Sequence, residues 1–218
     1  MVNSFIEDSK DAKNSLLLNG KYLTDCIDKL DRNDDQDIEY YSHLKDFPVN
    51  SGQLCDDIYQ AANNDVILLA LIGARVLFED LINISYIESL DSSKRMEVAN
   101  DWFRISNDQN ANKSKLNSKT VKERAEIAGT DILSIYNTEY AELCNYSHST
   151  AQRAILNIPE HRAILAQKTI LLSLQAYAGI LSTISKIIDK TVNDRIEGTI
   201  SQIFSKYKET VVEAKLQT

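Results

Sequence analysis

A chain of 218 residues is long enough to bury a sizeable core and most simply makes a single domain over 1–218. Six glycines and two prolines leave few helix breaks or hairpin turns, and an apolar fraction of 43% excludes a disordered chain. A formal net charge of −8 argues against broad, non-specific nucleic-acid binding, which needs a basic surface.

The first element in chain order is a helix over about 4–30, where Leu16, Leu23, Ile27 and Leu30 fall near one stripe. The acidic stretch DRNDDQD and the Pro48/Gly52 pair then read as a connection, followed by a short helix over 53–62. The next segment, about 65–90, is apolar nearly all round at its start, the pattern of a helix buried at the centre of a bundle. Its longest apolar run, 66–74, stops at Arg75 and is about half a membrane span, so no transmembrane helix is expected. Asp91, Ser92 and Ser93 offer an N-cap for a helix carrying Met96, Val98 and Trp102. The polar stretch 107–120 (NDQNANKSKLNSKT) reads as a long mobile loop.

Helices resume over 121–128 and 131–148, split by Gly129. Pro159 suits the first turn of a long helix reaching about 190. Within it Ile170, Leu174, Tyr177, Leu181, Ile184 and Ile188 alternate steps of four and three, and Val192, Ile196, Ile200 and Ile203 repeat the theme. The expected fold is therefore all-α: a multi-helix bundle with a buried central helix at about 65–90 and long C-terminal helices. Those last stripes exceed what one short bundle covers, which predicts a two-fold homodimer.

Cys26, Cys55 and Cys144 are an odd number without a CxxC, so neither a disulfide framework nor a zinc knuckle is indicated and a reducing cytoplasm fits. The acidic start MVNSFIEDSKDAKN does not have the form of a signal peptide. Phosphate-loop, dinucleotide, nucleophile-elbow and HExxH motifs are all missing, and no cofactor is expected. With His43, His148 and His161 far apart, no metal site is expected either.

Two constellations could carry chemistry. Arg75 and Glu79, followed by Asp80, share one face of the apolar central helix. Charges in such surroundings need partners, either as an internal ion pair fixing the packing register or as a site facing a cleft. Tyr140, Cys144 and His148 recur every four residues along a second helix, with Asn137 nearby. There His148 could act as general acid or bind phosphate oxygens, Arg75 could hold an anionic group, and Tyr140 and Asn137 could line the same cleft.

The segments RVLFEDLINISYI, DWFR, KERAEIAG and YNTEYAELCNYSHST, spread over 66–150, together resemble a bacterial all-helical family of unknown function scattered among mobile and defence-associated genes. That family looks distantly similar to the HEPN class, which includes RNA-cleaving toxins and abortive-infection effectors. The resemblance implies a helical fold, a role in bacterial defence or stress response, and RNA or a nucleotide as substrate. The chain departs from the catalytic Arg-x4–6-His pattern of HEPN ribonucleases: Leu143, Glu142 and Ala141 occupy the arginine's positions before His148. Without that cation, positioning of a scissile phosphate falls to Arg75 or Arg153, and a non-catalytic interaction module or regulator becomes the competing reading. A sensor gripping a small anionic ligand between Arg75 and Tyr140 is the third.

Overall fold

The computed structural model describes residues 2–30, 40–41, 44–107, 118–148, 156 and 158–216. They form α1 (Val2–Asp28), α2 (Phe47–Asn63), α3 (Ile67–Ser89), α4 (Ser92–Asn107), α5 (Val121–Ala128), α6 (Thr130–Ile135), a π-helical turn (Tyr136–Tyr140), α7 (Ala141–His148), α8 (Pro159–Ile188) and α9 (Lys190–Leu216). No strand occurs among the described residues, and the all-α multi-helix bundle is the observed fold. The acidic stretch after α1 and most of the polar stretch 107–120 lie outside the described residues.

Two long helices organise the bundle. α3 packs against α8, α2, α5 and α7, and α8 packs in addition against α1 and α9. In the second half of α3 every residue from Leu81 through Ile87 is buried, polar Asn83 and Ser85 included. The first half departs from the all-round burial that its composition suggests. Leu69, Ile72 and Val76 stay 60%, 39% and 45% exposed, because neighbours cover only the other faces of the helix there. The apolar stripes of α8 and α9 are, by contrast, largely covered within the chain: Ile170, Leu174, Tyr177, Leu181, Ile184, Val192, Ile196 and Ile203 are buried, while Ile188 and Ile200 are half-buried. By length and composition His161–Lys186 could cross a membrane, yet 67% of its most apolar window is buried against the other helices.

Pro48 and Gly52 do not separate elements; both lie inside α2 and are buried. Proline is harmless there because a first-turn N–H has no intrahelical acceptor. Gly52 has a packing reason. Tyr177 of α8 reaches between α1 and α2, its hydroxyl donating to the Pro48 carbonyl at 3.0 Å. A methyl on Gly52 would sit 2.7 Å from that hydroxyl oxygen and 2.8 Å from Leu17 Cδ2, and one on Gly20 of α1 would collide with the same hydroxyl. The two glycines are the notch into which a buried tyrosine fits. Gly20→Ala gains about 1 kcal/mol of helix propensity but overpacks the notch, for a net loss of about 1–2 kcal/mol. Adding Tyr177→Phe, which removes the colliding oxygen, recovers most of that loss in urea unfolding; two strictly additive losses would show that the notch is not the reason for the glycine.

The α2–α3 turn is held from a distance. Asp65 adopts a left-handed backbone with φ 62°, and Val66 N donates back to the Ala61 carbonyl at 2.8 Å, the closure with which many helices end. Arg162 of α8 locks it, with Nη2 2.7 Å from the Asp65 carbonyl and 2.6 Å from its Oδ2.

Candidate functional site

The α3 face carrying Arg75 and Glu79 meets two other elements. α5 begins at a capping box: Thr120 Oγ1 accepts from Glu123 N at 3.2 Å, and Glu123 Oε2 accepts from Thr120 N at 2.7 Å. With the first turn so fixed, the next residue, Arg124, is directed at α3. Its side chain is 3% exposed, and Nη2 lies 3.5 Å from Glu79 Oε1. The second visitor is Tyr140. The π-helical turn adds a residue to the local repeat, Tyr136 stacks on Tyr140 at 5.4 Å between ring centroids, and Tyr140 is turned into the bundle. Its hydroxyl donates to Glu79 Oε2 at 3.2 Å. Arg75 is hydrogen-bonded to the same phenol. One carboxylate, two guanidiniums and a phenol thus join α3, α5 and the α6–α7 arm.

The electrostatics follow from this crowding. Burial and the Glu79 charge both push the Tyr140 phenol well above its ordinary range, so it stays a neutral donor. Burial pulls the Arg124 guanidinium down, with Glu79 and Tyr140 opposing. For Arg75, burial again disfavours the charge, but its bond to Tyr140 and the nearby acidic groups outweigh this and move it up. Both arginines remain cations at any physiological pH. Asp80, next along α3, is different. Burial and the adjacent Glu79 charge push its carboxyl up to about 7, and among the described residues no cation pairs with it.

Compared with protein-family models, curated proteins and solved structures, the chain matches none.

Of the residues singled out from sequence, Arg75, Glu79 and Tyr140 come together. Cys144, one turn beyond Tyr140, is a half-buried free thiol hydrogen-bonded to it. Asn137 is exposed on the π-helical turn. His148 is the last residue of α7, two helical turns past Tyr140, and its side chain lies outside the described residues. His43 lies outside them altogether, and His161 is exposed at the start of α8. No group able to hold a metal occurs among the described residues.

Sequence reasoning missed Arg124, although a signal existed. T-x-x-E opens an eight-residue helix whose small apolar face is Ala125 and Ala128, and an arginine beside that face is positioned inward. It also missed a second ion pair at the end of α3. Tyr40, fully buried, donates to Glu88 Oε1, and Arg95 Nη1 sits 3.7 Å from Glu88 Oε2. Arg95 Nη2 donates to the carbonyls of Glu88 and Leu90, both at 3.2 Å, which satisfies the helix end and places a cation on its negative pole.

Proposed function

We propose that the chain is a non-catalytic helical interaction module of the cytoplasm that associates with a second copy of itself. The observation that carries this is the exposed apolar row on α3: Leu69, Ile72 and Val76, with Val66 48% exposed at its head. These residues follow helical spacing, so they form one ridge about 15 Å long. A short ridge of this kind is self-complementary across a two-fold axis: antiparallel copies place Leu69 against Val76 and Ile72 near the axis. Nothing catalytic competes for the helix, since both oxygens of Glu79 are engaged by Arg124 and Tyr140.

Sedimentation velocity tests it. The wild type forms a dimer that gives way to the 24.6 kDa monomer on dilution. Leu69→Asp with Val76→Asp stays monomeric, while unfolding moves by no more than about 0.5 kcal/mol per surface site. A wild type that remains monomeric up to about 100 μM, a concentration at which even weak small interfaces associate, would reject the proposal.

A second reading is a HEPN-like effector of bacterial defence or stress response acting on RNA or a nucleotide. It draws on the family resemblance and on one observation: Cys144 and Tyr140 adjoin Arg75, and His148 follows one turn later on the same helix. On that reading His148→Ala abolishes cellular toxicity or phage resistance without lowering the melting temperature. On the interaction reading the phenotype survives His148→Ala and disappears with the Leu69/Val76 pair.

A further inference from the structure

Beyond the Arg75 cluster, a cleft of about 490 Å³ opens between the last turn of α3, the α5–α6 corner and the C-terminal half of α8. That size is ordinary for a small-molecule site. Its walls are unusual in what they leave unused. Ser85 is 9% exposed, lines the cleft, and its buried Oγ has no hydrogen-bond partner. A hydroxyl taken from water without compensation is costly, and a ligand in the cleft would supply the missing bond. Two further wall hydroxyls have committed their hydrogens inside the fold. Ser89 Oγ donates to the Tyr86 carbonyl at 2.7 Å and Thr183 Oγ1 to the Gly179 carbonyl at 2.9 Å. What they offer outward is lone pairs, so they accept from donors.

The corner itself is open. Gly129 has φ 117°, and a Cβ there would meet nothing within 4 Å, so the glycine answers a backbone angle and leaves free space beside it. The charges complete the pattern. Glu88 is already engaged by Tyr40 and Arg95. Asp131 of α6 and Lys186 of α8 also line the cleft, and among the described residues neither makes an ion pair. One unpaired anion and one unpaired cation on separate walls match a ligand carrying both charges.

We propose that this cleft binds a small zwitterion of the amino-acid class. Its carboxylate faces Lys186, its ammonium faces Asp131, and Ser89 and Thr183 accept its remaining N–H donors. The Ser85 hydroxyl meets the ligand after a turn about its Cα–Cβ bond, which brings the buried Oγ to the wall. A purely anionic ligand would leave Asp131 opposed, and a purely cationic one would leave Lys186 opposed; the zwitterion satisfies both.

The test uses the full chain and the twenty standard L-amino acids as probes, each at about 10 mM, in thermal unfolding. At least one raises the melting temperature by about 2 °C or more, as expected for a ligand that binds only the folded state. Calorimetry then compares that amino acid with its methyl ester and its N-acetyl derivative, each of which lacks one charge and binds at least about tenfold more weakly. Lys186→Met weakens the amino acid about tenfold and does not weaken the cationic ester; Asp131→Asn does the same for the amino acid and does not weaken the anionic N-acetyl form. Both positions are exposed, so the unliganded variants keep the wild-type melting temperature to within about a degree or two. The proposal is overturned if none of the twenty shifts the melting temperature. It is equally overturned if the blocked derivatives bind as well as the parent, or if both variants bind it undiminished.

Discussion

Replacing Arg124 with alanine is expected to destabilise the protein by about 3 kcal/mol, which lowers the melting temperature of a domain this size by about 6–12 °C. The loss has two sources. The buried stem of Arg124 fills space between α5 and α3, and its removal leaves a void in a well-packed junction. The larger source is electrostatic: Glu79, at 31% side-chain exposure, loses the buried cation opposite Oε1 and keeps only the neutral Tyr140 on Oε2 beside Arg75. A stranded, partly buried carboxylate costs more than the pair was worth, and partial access to water keeps the figure at the low end of the usual range. Urea unfolding of a double-mutant cycle apportions it. Glu79→Gln alone costs about 1 kcal/mol, and in the Arg124→Ala background it costs nothing or stabilises, because the carboxylate that has lost its buried cation is gone. Should Arg124→Ala cost less than about 0.5 kcal/mol, as an ordinary surface change would, the junction is incidental to the fold.

The helices were legible because spacing alone reveals them. Leu16, Leu23 and Ile27 on α1, and Ile170 through Ile184 on α8, recur at intervals that only a helix brings to one face, and all are buried. Pairing Arg75 with the Tyr140 helix was legible for the same reason: charges on an apolar helix must find polar partners, and the polar face available was that one. What periodicity cannot carry is any fact about the third dimension. Pro48 and Gly52 were misread as a connection because the reason for Gly52, the ring of Tyr177, comes from a residue 125 positions later. The π-helical turn that orients Tyr140 changes the local repeat from within, and nothing in YNTEY announces it. α3 was read as buried all round because composition reports how apolar a helix is, not how many neighbours it finds. Its second half finds them on every side. Its first half leaves the Leu69–Val76 row in water. The C-terminal stripes are the converse case: spacing alone shows how much apolar surface they carry, and most of it is covered where α8 and α9 meet each other and α1.

Asp80 sets a pH dependence with a definite sign. An unfolded aspartate titrates near 3.9, while burial and the neighbouring Glu79 charge hold the folded carboxyl at about 7. Between those values the folded protein binds a proton that the unfolded chain releases. Stability therefore falls as the pH rises from about 4 to about 7, and the loss is complete above that. In a fully dry site such a shift corresponds to about 4 kcal/mol; because the Asp80 carboxyl still touches water, about 2 kcal/mol is expected. Acids shifted the other way act in a separate window. Asp91, Asp189 and Glu123 are held down, Asp91 by the Lys94 amide and charge, Asp189 by Thr191 and Glu123 by Thr120, so what they contribute is lost only as the pH falls through their lowered values. Asp80→Asn isolates the effect, since asparagine has the shape of the protonated acid and cannot ionise. At about pH 3, below the unfolded value, the variant and the wild type should unfold together. At pH 8 the variant should be the more stable by about 2 kcal/mol, a rise of about 4–8 °C in melting temperature. A difference that is the same at both pH values would mean that Asp80 titrates as a solvated carboxylate, its charge met by water that reaches into the α3 junction.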